Sequence, residues 1–402
     1  MRTGFPRLLA AEAVSNFGAM LSRVAIPWIA ALALDATPIS MGSLVVADVI
    51  AGAIGSLFLG AWVDRLDKRA VMLATDIGRA AVLGTLAVAA AAQWLSMPLL
   101  VAAAAASGIL TVMFELARSA WMAQRLAQGD LPQANAHMSM ATSLSETLAF
   151  ALGGWLYQAA GAVAALAIDA VSYLFSAAFV RGVERSPPAA APVPQGAWRS
   201  LRGEIAEGLH AIAADPLLRM LAGVEMLVAL GMSIAGTSYM IFVARDLGFD
   251  TGTLGLIFAT GGLGALAGAA VAPRLGAACG RRCAMILGLA LFAVGNFCIP
   301  LAPGATLLGA TLLVAHQVIG DGGYLIYDVH DRTLRQTAVR ADLLARVDAG
   351  IRTLGQGARL AGALGGGVLA TAMGTRPALV FAAALYAAAA MLVLVTMPPS
   401  RR

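Results

Sequence analysis

Gly60-Ala61-Trp62-Val63-Asp64-Arg65-Leu66-Asp67-Lys68-Arg69 is a charged stretch between two long apolar runs, and its reading decides the fold. Residues 40–63 before it and 70–92 after it are each long enough to cross a bilayer as a helix. A chain that crosses lipid, turns within a few charged residues and crosses again is a helical hairpin. Gly60 lets a neighbouring helix approach closely. Asp64 sits at the membrane edge, where it can accept hydrogen bonds from a helix N-terminus. Arg65, Lys68 and Arg69 are expected at headgroup level, holding the turn on the cytoplasmic side. A plain positive-inside turn explains the basic residues alone.

The pattern repeats outward in both directions. Apolar runs between turn signals give twelve spans, at about 8–34, 40–63, 70–92, 97–116, 136–160, 162–182, 217–244, 251–272, 283–303, 305–328, 346–372 and 375–397. None shows the strand-like alternation of an outer-membrane barrel. The chain is 60% hydrophobic and 12% charged, about half the charge of a soluble protein. One long polar stretch, from Glu184 to Asp215 with Pro187, Pro188, Pro192 and Pro194, divides the spans six and six. The expected domains are therefore an N-terminal six-helix bundle at 1–183, a cytoplasmic linker at 184–215 and a C-terminal bundle at 216–402.

Arginine sets the orientation. Arg2, Arg7, Arg118, Arg125, Arg181, Arg199, Arg274, Arg282, Arg332, Arg340 and Arg402 fall in one set of loops and tails, whereas the opposite loops hold only Arg245 and Arg376. Basic loops stay in the cytoplasm, so both termini and the linker are expected inside a bacterial inner membrane. The net charge of +5 then reflects topology, and no nucleic-acid partner is expected. The run from Leu8 to Leu34 is too long for a signal-peptide core and reads as a retained first helix. Cys279, Cys283 and Cys298 make no disulfide framework. Cys279 and Cys283 invite a metal reading, but the nearby loop supplies no His, so no metal is expected. Gly261-Gly262, Gly264 and Gly268 suit helix packing, and no phosphate-binding loop is present. No cofactor is expected.

The two halves echo each other at a spacing of roughly 212 residues. Arg118-Ser119-Ala120, Asp130-Leu131, Asn135-Ala136 and Gly153-Gly154 follow span four. Arg332-Thr333-Leu334, Asp342-Leu343, Asp348-Ala349 and Gly365-Gly366 follow span ten. Parallel halves of this kind occur in secondary transporters.

The charged turn resembles the loop signature G-x-x-x-D-R-x-x-[RK]-[RK] of the major facilitator superfamily. Longer segments resemble its bacterial efflux branch, which includes the enterobactin exporter and macrolide-efflux proteins. These are Ser15-Asn16-Phe17-Gly18 with Arg23-Val24-Ala25-Ile26-Pro27-Trp28, Asp76 with Arg79, Ala117-Arg118-Ser119-Ala120 with Leu131-Pro132-Gln133-Ala134-Asn135-Ala136, Asp169-Ala170-Val171-Ser172-Tyr173, and Leu334-Arg335-Gln336 with Ala345-Arg346-Val347-Asp348-Ala349. The resemblance implies an all-α membrane protein of twelve transmembrane helices in two pseudo-symmetric six-helix bundles. It also implies a latch from Asp64 to the eleventh span near Arg346–Asp348. The second-half counterpart, Ala272-Pro273-Arg274-Leu275-Gly276, lacks the acid, so the latch is expected in the first half only. Ala19 stands where the branch often has an acid, and Glu115-Leu116 where it often has a proline.

Charges inside spans are costly and are functional candidates by default. Glu146 and Glu225 lie near midplane. Arg23 and Asp48 fall at similar depth on consecutive antiparallel helices and could pair. Asp169 lies in the outer part of span six and Asp321 in the inner half of span ten. Glu146 or Asp48 is the first candidate for a coupling proton; the alternative for Glu146 is a structural hydrogen bond to Ser143 or Ser145. Asp76–Arg79 and Glu115–Arg118 are spaced as i,i+3 pairs and read as gate structure beside Asp64. Arg352 and Arg359 share a face and could meet an anionic substrate or Asp321. Of the histidines only His316 lies deep.

The favoured function is a secondary exporter, proton-coupled, carrying a drug-like amphiphile or a siderophore, and working as a monomer with small-molecule substrate, protons and the lipid bilayer as partners. An importer of a small nutrient is the alternative. An intramembrane enzyme would need clustered His and Asp or a Ser-His pair, and a sensor a sizeable cytoplasmic domain; neither pattern is present.

Overall fold

The computed structural model describes residues 4–54, 59–63, 65–127, 130–185 and 197–397. Asp64 lies outside them, and with it the expected latch. The described residues are helical throughout apart from turns, with no strand among them. Helix is what lipid demands, because it alone bonds every backbone group within one segment.

Twelve helices cross the bilayer and one more packs beside them. They are α1 (Gly4–Ala33), α2 (Pro38–Ile54) with a separate helical turn at Gly60–Val63, α3 (Lys68–Ala91) and α4 (Met97–Arg125). Leu131–Arg181 is a run of 51 residues. Straight, it would be about 76 Å long, more than twice the ~30 Å hydrocarbon core. Gly161, at φ 74°, breaks it into α5 (131–160) and α6 (162–181). The linker helix α7 is Ala197–Ala214, and α8 is Pro216–Asp246. Thr251–Leu301, again 51 residues, breaks at Gly280 with φ 80° into α9 (251–279) and α10 (281–301). A φ of that sign is cheap only for glycine, so one residue without a side chain turns each double-length run into two crossings. Helix α11 runs from Leu307–Ala315 through a π turn, His316–Gly320, into Asp321–Ala338. Last come α12 (Ala341–Met373) and α13 (Thr375–Thr396).

Short side chains start several of these helices. Asp67 accepts from the Arg69 amide at 3.0 Å, and Asp215 from those of Leu217 and Leu218 at 2.7 and 3.3 Å. Such caps satisfy amides that have no partner inside the helix. Many large apolar side chains are exposed, among them Val88, Leu266, Leu307 and Val395. In water they would be a liability; in lipid they are the expected outer surface.

The chain divides into two compact units within the 184–215 connector, between residues 193 and 194. Unit 1 holds 1–36, 46–193 and 250–256; unit 2 holds 37–45, 194–249 and 257–402. Two short helix ends thus group with the opposite half of the sequence, and small residues make this possible. In unit 2, a Cβ on Gly42 would lie 2.6 Å from the Ala363 carbonyl oxygen; in unit 1, one on Gly154 would lie 2.3 Å from that of Thr251. The connector is also more than a tether. Its helix α7 packs on α12 in unit 2, with the Gly208 Cα against the Arg346 carbonyl and Glu207 paired to Arg346 at 2.7 Å.

The core of unit 1 gathers Phe5, Leu8, Met72, Phe114 and Trp121, with Trp28 set edge-on to Tyr157 at 5.4 Å. In unit 2, Phe292 lies 4.2 Å from the Tyr386 ring. There α11 is held between two glycine-bearing helices. A Cβ on Gly268 of α9 would lie 2.2 Å from the Gly322 carbonyl oxygen, and one on Gly295 of α10 would lie 2.5 Å from the Gly320 amide. Small residues let backbones touch where the driving force is packing rather than water exclusion. Arg376, one of the two basic residues of the sparse loops, is exposed but held in place. It donates to the Ala302 carbonyl at 3.1 Å and stacks on Phe242 at 5.3 Å, so it anchors α13 rather than marking a side.

Gly268→Leu must push α11 away and is expected to destabilise by about 1–3 kcal/mol, the usual cost of overpacking. Gly84→Ala, where an added Cβ meets nothing within 4 Å, is expected to be neutral or stabilising. Thermal unfolding of both variants in detergent checks the pair.

Candidate functional site

In unit 1 the charged turn proves to be a local capping device as well as a signature. Lys68 is fully buried, and its ammonium donates to the Val63 and Leu66 carbonyls at 3.1 and 2.9 Å. The Val63 carbonyl also accepts from the Leu66 amide at 3.1 Å, so Lys68 adds a second donor there. Lys68 is thus turned into the protein, whereas Arg65 is exposed. Gly60 begins the separate helical turn at Gly60–Val63.

Above the turn, Arg118 of α4 forms an ion pair with Glu12 of α1, and Glu12 is buried. The expected partner, Glu115, is exposed. Helical spacing allowed an i,i+3 pair, but a buried acid one helix away is the stronger demand on a guanidinium. Asn16 donates to Glu12 at 3.2 Å and to Thr142 of α5 at 3.1 Å, so one network joins α1, α4 and α5. The second Glu12 oxygen is buried without a hydrogen bond.

Deeper in unit 1, Asp76 and Arg79 of α3 pair at 2.5 Å as expected, both buried. Ser176 of α6 donates to the other Asp76 oxygen at 2.7 Å. The Arg79 guanidinium lies over two rings, Phe114 at 4.7 Å and Tyr173 at 4.2 Å. Such stacking compensates a desolvated cation. Asp169 of α6 is buried against α1, where Gly18 leaves it room, and takes a hydrogen bond from Ser172 at 3.3 Å. Its second oxygen has none.

Glu146 is only partly buried on α5, and the neighbouring Ser145 hydroxyl donates instead to the Ala13 carbonyl at 2.9 Å. Arg23 and Asp48 are both exposed, so they do not form the buried pair their depths suggested. Helices α1, α5 and α6 also enclose an open, apolar groove of 940 Å³, with Leu9, Val14, Phe17, Leu148, Ile168 and Phe175 in its walls.

In unit 2, Glu225 of α8 lies beside Gly355 of α12, in the field of Arg335, Arg359 and Arg332 and of the acid Asp328. Arg335 bridges Asp331 at 2.5 Å and Asp348 at 3.1 Å, tying α11 to α12. Glu12 and Glu225 are 213 residues apart, the interval of the internal repeat. Each sits on the first helix of its half and answers to arginine on the fourth. The repeat could have found Glu12, which sequence reasoning passed over because it lies close to the cytoplasmic end of its span.

Asp321 follows the π turn of α11. A Cβ on Gly261 of α9 would lie 2.3 Å from one of its oxygens, so the carboxylate sits tightly against that helix. Gln317 donates to the Phe258 carbonyl at 3.3 Å. Tyr239 of α8 meets His316 edge-on at 5.6 Å; His316 is buried and Tyr239 half-buried, and among the described residues the Tyr239 hydroxyl and the His316 Nδ1 have no hydrogen bond. Neither Arg352 nor Arg359 pairs with Asp321; Arg359 acts on Glu225. Buried polar atoms without partners are rare and point to a functional place, and π turns recur at such places. The role of Tyr239 was hidden in sequence because nothing in the spacing signals that turn. Among the described residues no cluster of three or more His, Cys, Asp and Glu could hold a metal ion.

Residues 8–224, more than half of the chain, match the family model of the Major Facilitator Superfamily. A relative from Bacillus subtilis (strain 168), the uncharacterized MFS-type transporter YfiS, is 26% identical over 377 residues, covering 92% of this chain and 88% of that one. Among solved structures, the nucleoside transporter NupG superposes with a TM-score of 0.80 at 13% identity, over 99% of this chain and 100% of that one. A bacterial homologue of the iron transporter ferroportin, in its inward-facing state, superposes with a TM-score of 0.77 at 12% identity, over 98% and 99%. At these identities the structures share the fold.

Arg118→Ala strands Glu12 as a buried charge and is expected to cost about 3–5 kcal/mol. Adding Glu12→Gln to it is expected to recover much of that loss. A double-mutant cycle read by thermal unfolding measures the coupling; additive effects would mean the pair is not formed in the membrane.

Proposed function

The chain belongs to the Major Facilitator Superfamily, and on that premise we propose that it is a proton-coupled exporter of an apolar or amphiphilic small molecule. It is a membrane transporter, not an enzyme. The cargo class we assign is a drug-like amphiphile or a siderophore, carried by alternating access in a monomer. Both termini and the 184–215 connector are placed in the cytoplasm of a bacterium, following the arginine map.

The observation that carries this reading is the sorting of the buried acids. Glu12, Asp76 and Asp331 each hold an arginine. Asp169, buried in the field of Arg79, and the half-buried Asp321 form no ion pair among the described residues. An acid kept at membrane depth without a counter-cation is the kind of group that exchanges a proton. We give Asp321 the coupling role, because His316 and Tyr239 stand beside it with unused polar atoms. Asp169 is second, and Glu146, half-buried like Asp321, and the exposed Asp48 follow. The apolar groove and the Ala- and Leu-rich helices support a cargo recognised by shape and greasiness rather than by dense hydrogen bonding. Gly60, Asp64, Arg65, Lys68 and Arg69, with Asp76, Arg79 and Arg118 behind them, we assign to the gate on the arginine-rich side. Glu225, with Arg335 and Arg359, is the second unit's counterpart of Glu12, and Arg23 is left as a cavity-side cation.

Two measurements test the proposal. Cells expressing the protein are expected to accumulate less of a lipophilic fluorescent dye than cells without it; greater accumulation would make the protein an importer. In proteoliposomes, Asp321→Asn is expected to abolish transport driven by a pH gradient while sparing dye exchange without a gradient. Glu146→Gln is expected to leave both within about 2-fold of the parent. The reverse ranking would move the proton to Glu146.

A further inference from the structure

Residues 251–320, from the start of α9 to the π turn of α11, contain three arginines and no acid. Arg274 lies on the last turns of α9, and Arg281 and Arg282 follow the break at Gly280. The counterpart turn at 60–69 sets Asp64 and Asp67 among its basic residues; this one has nothing of the kind. Arg281 donates to the Thr337 hydroxyl at 2.7 Å, Arg282 to the Leu394 carbonyl at 2.6 Å and Arg274 to the Ala270 carbonyl at 3.4 Å. All three acceptors are neutral, and none of these arginines forms an ion pair among the described residues. The elements packed on the turn supply no relief. On α11, Asp328 and Asp331 already hold Arg332 and Arg335, and α13 has no acid. Arg274 and Arg281 are exposed and Arg282 is half-buried, so an uncancelled cluster of positive charge faces outward.

Position decides what this charge meets. Thr337 is in the last turn of α11 and Leu394 in that of α13. Their bonds to the arginines set the turn level with the ends of both helices, where hydrocarbon gives way to lipid headgroups. Beneath it α10 and α13 lie side by side, with the Phe292 and Tyr386 rings 4.2 Å apart. Leu287 and Leu291 of α10 and Met391, Leu394 and Val395 of α13 are exposed. Leu287 and Leu291 share one face, roughly 8 and 14 Å along the helix from Arg282. A ligand suited to this place has an anion at the turn and hydrocarbon below it. A free anion lacks the second, and a zwitterionic lipid the net charge. We propose that Arg274, Arg281 and Arg282 bind the phosphate-bearing headgroup of an anionic phospholipid, whose acyl chains lie along α10 and α13. Basic clusters between membrane helices suit such headgroups, and guanidinium suits phosphate. The bound lipid sits where Arg281 reaches α11 and Arg282 reaches α13, so it braces three helices of unit 2 away from Asp321.

The test uses the full-length protein in detergent, titrated with phosphatidylglycerol or phosphatidylcholine and read by native mass spectrometry. Phosphatidylglycerol is expected to bind first and more tightly. Arg281→Gln and Arg282→Gln are each expected to cut that preference by about 5-fold, the worth of one cation at an anionic surface. The Arg281→Lys/Arg282→Lys variant is expected to keep most of it. Arg219→Gln, which removes an exposed arginine bonded to the Ala213 carbonyl elsewhere in unit 2, is expected to leave it unchanged. A diazirine-bearing phosphatidylglycerol is expected to label α10 and α13 in the parent protein, a readout that stands even where a variant folds poorly. Equal binding of the two lipids, undiminished preference in the Arg281→Gln/Arg282→Gln double variant, or labelling confined to other helices would each overturn the site. Displacement of the lipid by millimolar inorganic phosphate would do the same, by making it a site for the free ion.

Discussion

A peptide group inside hydrocarbon has no water to bond, and the rest of this structure depends on that constraint. It forces the chain into helices that satisfy their own backbone. It also makes each helix break an event that needs a cause. Gly161 and Gly280 are two such causes: each folds one 51-residue run back on itself, the first between the fifth and sixth crossings and the second between the eighth and ninth. The lysine of the charged turn belongs to the same logic. Lys68 is buried and adds a donor to the carbonyls of Val63 and Leu66 where solvent is scarce.

With the backbone satisfied, polar side chains become the costly items, and their pairing sorts structure from function. Arg118 with Glu12, Arg79 with Asp76 and Arg335 with Asp331 are acid–base pairs that lower one another's burial cost. They join neighbouring helices or stiffen single ones, and each unit holds at least one. Asp169 and Asp321 stand outside this scheme. Packing against glycine, Gly18 for one and Gly261 for the other, lets each carboxylate lie close to a neighbouring helix without an ion pair. Glycine therefore has two tasks here. It brings backbones together along α11, and it makes room for acids that hold no cation.

Much of the fold was legible in residues read one after another. The apolar runs, the arginine map and the charged turn at 60–69 indicated helical crossings and a six-plus-six plan. The family signature agreed with both, because a crossing is a local property of about 20 residues. Asp76–Arg79 was legible for the same reason, its partners being three residues apart. Pairings between helices were not. Arg118 chose Glu12 over the nearer Glu115, and Arg23 and Asp48 stayed apart, because depth along two helices does not say which faces meet. The linker read as a proline-rich tether, yet 197–214 forms a helix that packs on α12.

What the sequence determined alone is membrane character, the number of crossings and the superfamily, since each follows from composition and short-range pattern. What only the tertiary structure decided is which buried charges hold partners and which stand unpaired. It also revealed the π turn that sets His316 and Asp321 in α11, and it brought Tyr239 of α8 to the same place. The physical reason is one of rotation. A helix turns by about 100° per residue, so a small change in how two helices face each other replaces every partner across the interface while leaving the hydropathy of both unchanged.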